Sequence, residues 1–144
     1  MILLDVNILL YAHNEAAPQH STITNWVRKL FIDEEIIGLP WVSMWGFLRV
    51  RTNPRLWPTP DSPAVAFFML QYWLSQPGVT VINPGRRHAE ILQHLMDQHQ
   101  ITGPLVSDAV LAALAIENGA TLASTDQDFS RFSGLRWVNP LTAP

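Results

Sequence analysis

Cysteine is absent from this 144-residue chain, which excludes disulfides, thiolate metal sites and Cys/His zinc sites. The absence permits a cytosolic setting, and a cytoplasmic protein is the expectation. Lysine occurs only as Lys29, and the formal net charge is −3. No global basic field is therefore available to attract nucleic acid. Any such contact must use a local patch, helped by metal ions. No apolar stretch is long enough to span a bilayer, so no membrane role is expected. The opening MILLDVNILLYAH lacks a basic n-region and is interrupted by Asp5. It reads as a buried strand running into a helix, not as a signal peptide. Internal repeats, low-complexity tracts and dividing linkers are also missing, so residues 1–144 are expected to form one domain.

What is present suits a globular core. Hydrophobic residues make up 48% of the chain, against disorder. The six tryptophans are expected mostly in the core, or at an interface if they cluster on the surface. Ile2–Leu4 is a short apolar run ending at Asp5, and Asn7–His13 follows as a short helix. Pro18–Ile32 reads as a helix with Ile23, Trp26, Val27, Leu30 and Phe31 on one face. Ile36–Leu39 is a buried strand, Val42–Val50 a helix ended by Asn53-Pro54, and Leu56–Pro63 a loop. Ala64–Leu74 is an apolar helix, Val79–Ile82 a strand and Arg86–Gln100 an amphipathic helix. Ser107–Asn118 is apolar almost all round and should be buried, with Gly119 suited to its C-terminal cap. Thr121–Ala123 is a strand, Asp126–Phe132 a short helix and Arg136–Val138 a last strand. This alternation predicts an α/β fold with a mostly parallel sheet covered on both faces.

Ligands in such folds bind beyond the carboxyl ends of the strands. Asp5 follows Ile-Leu-Leu there, Asp108 opens the most buried helix, and Asp126 and Asp128 follow the strand Thr-Leu-Ala. Each acid alone has a plain structural explanation. Asp108 suits a first helical turn behind Ser107 as N-cap, and Asp126 and Asp128 sit the same way behind Thr125. Asp5 is harder to dismiss, because a carboxylate among apolar residues needs a partner, and Asn7 offers amide donors. Three junctions delivering carboxylates to one sheet edge are more telling together. Clustered carboxylates repel and call for a counter-cation. Hard oxygen donors select Mg²⁺ or Mn²⁺ over zinc. Such ions suit phosphate chemistry.

The ordered motifs resemble one family. Leu-Leu-Asp-Val-Asn-Ile-Leu-Leu-Tyr-Ala at 3–12 resembles the start of PIN domains, especially the VapC-type toxins of bacterial toxin–antitoxin pairs. Phe47-Leu48-Arg49-Val50 with Thr52-Asn53-Pro54-Arg55, then Ser107-Asp108-Ala109 and Thr125-Asp126-Gln127-Asp128-Phe129, are similar to the later motifs. The resemblance runs to Leu135-Arg136-Trp137-Val138-Asn139-Pro140. It implies a three-layer α/β/α PIN-like fold with a five-stranded parallel sheet. It also implies endonucleolytic RNA hydrolysis with Mg²⁺ or Mn²⁺, a small VapB-type antitoxin partner, and a homodimer. By motif, Asp5, Asp108 and Asp126 carry over as catalytic metal ligands, Asp128 as an accessory metal-site acid, and Asn7 and Thr125 as polar support. One departure stands out. The glutamate many PIN domains carry before Phe-Leu-Arg-Val is Gly46 here, which leaves open a weakened site or a binding module without catalysis.

Among other residues, Arg49 lies one helical turn after Gly46. It could contact RNA phosphate, or pack its stem on the helix; the spacing leaves both open. Arg51 and Arg55 are expected in solvent, and the five histidines on the surface without metal spacing. Ser107 has no triad partners in sequence, and there is no Gly-rich phosphate loop. A phosphoacceptor receiver-like domain would need a lysine late in the chain, and Lys29 is not late.

Overall fold

A computed structural model describes residues 1–143. Its elements run β1 (Ile2–Leu4), α1 (Val6–Ala12), α2 (His20–Ile32), β2 (Ile37–Pro40), α3 (Trp41–Arg51), α4 (Pro63–Leu74), β3 (Val79–Ile82), α5 (His88–His99), α6 (Val106–Glu117), β4 (Thr121–Ala123) and β5 (Arg136–Val138). The strands form one five-stranded sheet in the order β3-β2-β1-β4-β5. Every pairing is parallel. The α/β expectation is met, and the sheet is wholly parallel.

Strand alternation sorts the core into two halves. Leu3, Ile82 and Leu122 pack with α5 and α6 on one face. Leu4, Ile37, Leu39 and Ala123 pack with α1 to α4 on the other. Adjacent leucines at 3 and 4 thus serve opposite layers, so β1 reads as continuously apolar because it is covered twice. α6 is the most buried helix, with Ala109 and residues 111–115 all inside. Its alanines keep it close to the sheet. Gly119 then turns the chain at φ +60° toward β4, the left-handed position a helix end favours for glycine.

Several boundaries differ from the sequence reading for local reasons. Asp5 is the N-cap of α1, which therefore starts at Val6. Ser62 caps α4 through Val65 N–H, drawing Pro63 into the first turn. Ser107 does not cap α6. A 3₁₀ turn at Gly103–Leu105 runs into the helix and puts Leu105 at its N-cap. The tryptophans depart most from expectation: only Trp73 is buried, while Trp41 and Trp45 are exposed. Arg51 is not solvated either. Its Nε donates to Asp61 Oδ2 at 2.7 Å and its guanidinium lies 5.0 Å from the Trp57 ring. The histidines do not all lie on the surface: only His94 is exposed, and the other four are half-buried. His13 accepts from Trp73 Nε1 at 2.8 Å, and His88 has a side chain only 12% exposed beside Glu117.

Candidate active site

The sheet order reverses between β1 and β4: β2 and β3 build outward on one side of β1, β4 and β5 on the other. Helices leaving β1 and β4 diverge there, and the crevice beyond the carboxyl ends is where ligands bind in such sheets. The register Leu3↔Leu122 and Leu4↔Ala123, extended one step, brings Asp5 level with Ser124. The Asp5 N–H still donates to Ala123 O at 3.0 Å.

A buried polar knot forms where the two strands end. Asp5 is only 6% exposed, so its carboxylate needs donors. Oδ1 accepts from Val6 N–H at 2.7 Å. Oδ2 accepts from Asn7 Nδ2 at 2.8 Å and from Ser124 Oγ at 2.7 Å. Ser124 is fully buried, and its hydroxyl oxygen also accepts from Asn7 Nδ2 and Asp126 N–H, both at 3.0 Å. Asn7 Oδ1 takes Thr125 N–H at 3.1 Å. Asp126 then caps a short 3₁₀ helix, Gln127–Arg131, by accepting from Asp128 N–H at 2.9 Å. Thr125 thus takes part through its backbone, and Ser124, which the motifs did not single out, is the hub.

Electrostatics tie Asp108 to the same place. Burial raises its carboxyl above the ordinary carboxylate range, and repulsion from Asp126, Asp5 and Asp128 raises it further, against a smaller opposing effect of Arg131. Asp5 is also raised, first by burial, with Ser124, Val6 and Asn7 pulling it back and Asp126 pushing it up. Four carboxylates therefore share one field. Their arrangement is uneven. A cleft of about 460 Å³ is lined by Asp5, Ser107 and Asp108, with Ser43, Trp45, Gly46 and Arg49 on the facing helix α3. Asp126 and Asp128 are exposed on the β4 side, and Asp128 lies 3.5 Å from Arg131 Nη2. Arg49 does face the cleft, and so does Gly46.

The chain matches the PIN domain family over residues 2–135. It belongs to that family. Among the proteins similar to it, Ribonuclease VapC37 of Mycobacterium tuberculosis is 36% identical over 97% of both chains. Ribonuclease VapC33 of the same species is 38% identical, covering 98% of this chain and 99% of the relative. In solved structures, VapBC2 from Rickettsia felis bound to a DNA fragment from its promoter matches with a TM-score of 0.73 at 21% identity, over 96% of this chain and 98% of that one. The sarcin-ricin loop cleaving toxin VapC20 of M. tuberculosis matches at 0.65 and 17%, over 94% and 99%. This PIN domain is thus of the VapC type, with the α/β/α fold of those toxins.

The residues of the PIN cleft fit a hard divalent cation. Among the described residues, no three His, Cys, Asp or Glu side chains are grouped so that they could hold an ion alone. Mg²⁺ does not need such a cage: it keeps several waters and takes one or two protein carboxylates. The donors at hand are all oxygens under mutual repulsion, which a cation relieves. Ser43 Oγ is a second pointer. It is buried in the cleft wall with no hydrogen-bond partner, an unusual state for a hydroxyl and one a bound water would satisfy.

Proposed function

We propose that this VapC-type PIN domain is a divalent-metal-dependent endoribonuclease acting as the toxin of a toxin–antitoxin pair. The observation that carries the reading is the gathering of acids at the β1/β4 switch point, where Asp5 and Asp108 line one cleft and Ser124 Oγ bridges Asp5 Oδ2 to the backbone of Asp126. The VapC ribonucleases that resemble it along its whole length support the substrate class. Asp5, Asp108 and Asp126 are the residues that would hold Mg²⁺ or Mn²⁺, with Asp128 as an accessory acid. Such an ion, when bound, supplies an acidified water and stabilises charge on phosphate.

The chain's own residues supply the rest. Asn7 and Ser124 hold the Asp5 carboxylate in one orientation and occupy the lone pairs of Oδ2, as preorganised sites require. Arg49, exposed on the facing wall, is placed for a charge-assisted contact to a phosphate of the incoming strand. Among the described residues that line the cleft, the carboxylates are the side chains suited to take a proton.

The partner is a small antitoxin of the VapB type, and the toxin pairs with itself as a homodimer. The resemblance to VapBC complexes supports the first. Val65, Phe67, Phe68 and Tyr72, exposed along α4, offer apolar surface for such contacts. Gly46 favours a second reading, a PIN fold that binds RNA or antitoxin without cutting. One experiment separates the two: RNA incubated with the purified chain in Mg²⁺ and in EDTA. Cleavage only in Mg²⁺, lost in Asp126→Asn, is the expected result. Binding without cleavage at any Mg²⁺ or Mn²⁺ concentration establishes the second reading instead.

A further inference from the structure

Most of α3 is explained by packing. Met44 and Phe47 face the core, and Gly46 lies against Val6 of α1. The opposite stripe is not. Trp41, Trp45 and Arg49 follow one another at four-residue spacing, which places them on one face, and all three are exposed. Trp45 is 62% exposed, and its ring centroid lies 6.0 Å from that of Trp41, the planes inclined at 31°. An indole left so open covers little of its own helix. Trp45 also lines the cleft that holds Asp5, Asp108 and Arg49.

We propose that Trp45 is a stacking platform for an unpaired base of the RNA strand whose phosphate enters the acidic cleft, with Trp41 backing it. The proposal deepens the ribonuclease reading and rests on it. Aromatic faces accept any base, because every base has a π-face. Single-stranded RNA is recognised by such stacking together with backbone cations. Both parts stand on one stripe here, the indole first and the guanidinium one turn later. Four residues of helix rise about 6 Å, a gap that one unstacked nucleotide can bridge. Charge favours RNA over a protein partner for this face. An apolar partner would have to bury Arg49 against the acids, whereas a phosphate pairs with it. The stripe also answers the deficit in net positive charge: stacking supplies attraction that a chain at −3 does not obtain from its field.

The test uses the full chain in EDTA, where binding is read without turnover. The anisotropy of labelled oligo(A) RNA and of an abasic ribose-phosphate strand of equal length gives the two affinities. Trp45→Ala is expected to weaken oligo(A) roughly 5- to 150-fold, the range for loss of one stacked base, and to leave the abasic strand unchanged. Trp45→Phe keeps a ring and should retain most of the affinity, which separates stacking from damage to the fold. Equal oligo(A) binding by wild type and Trp45→Ala overturns the proposal. So does equal loss on both strands, or a wild type that binds neither. A Trp45→Ala chain that binds oligo(A) normally but changes its self-association or its grip on antitoxin makes the face a protein interface, and also overturns it. A wild type that binds through Trp45 yet never cuts RNA in Mg²⁺ refutes the ribonuclease reading and leaves the stacking intact.

Discussion

At the scale of single residues, the site depends on a serine that looks ordinary in sequence. Ser124 precedes Thr-Asp and reads as loop or cap chemistry. Its role arises only because β1 and β4 pair across 119 positions of chain, a contact no local pattern encodes. The aspartates were legible because a carboxylate at a strand end is conspicuous, as was Asn7 beside Asp5. Ser124→Ala removes one donor from Asp5 Oδ2 and leaves Asp126 N–H and one of the two Asn7 Nδ2 hydrogens without their acceptor. Loss of such an outer-shell partner costs about 10–100-fold in metal affinity or activity, and about 1–3 kcal/mol of stability for the unmet buried groups. Mn²⁺ titration and urea unfolding read both; a variant indistinguishable from wild type in each would show that Asp5 does not depend on Ser124.

Asp108 gives a residue-scale expectation of opposite sign. Its folded pKa is raised by burial and by the other acids. Between the ordinary carboxylate pKa and that raised value, the folded chain holds a proton the unfolded chain releases. Stability therefore falls as pH climbs through that window and stays lowered above it. Asparagine cannot ionise, so Asp108→Asn in EDTA should melt higher than wild type at pH 7. The gap should close at pH below the ordinary carboxylate range. An equal or lower Tm at pH 7 would contradict the field described for this cleft.

At the scale of elements, α3 was the least legible. It is apolar on both sides, so its periodicity does not say which side is core. Trp41 and Trp45 read as core candidates, yet Ser43, Met44, Gly46 and Phe47 are the buried set. Arg51 is covered because the proline-rich loop after α3 folds back and brings Asp61 and Trp57 to it, a closure only the tertiary structure specifies. Gly46 matters here as a close approach. A Cβ at this position would stand 3.1 Å from Val6 Cγ2, so the Val6 side chain must give by a few tenths of an ångström to admit one. Gly46→Glu should cost about 1–3 kcal/mol by overpacking, partly offset by better helix propensity. It should also tighten Mn²⁺ and raise cleavage at low metal, because position 46 lines the cleft. Unchanged affinity and rate would show that a side chain at this position turns away from the ion.

At the scale of the molecule, the sheet was the most legible feature. Five apolar runs separated by helical stretches point to a mostly parallel sheet, since parallel neighbours need long crossovers that helices usually supply. The motif order by itself points to the PIN family. What the strands could not reveal alone is that β1 is central, with β2 and β4 on its two flanks. That order sets the chemistry: it brings residue 5 beside residues 124–126 and turns α6 so that Asp108 feels both. The proposed ribonuclease therefore requires that the acids work as one cation site. The most direct measurement is calorimetric titration of Mn²⁺ into the wild-type chain and into Asp5→Asn, Asp108→Asn and Asp126→Asn, with circular dichroism confirming each fold. Saturable binding by the wild type, weakened at least about tenfold in every variant, is the expected result. A wild type that takes up no Mn²⁺, or three variants that bind it as the wild type does, would show that these acids do not form a cation site.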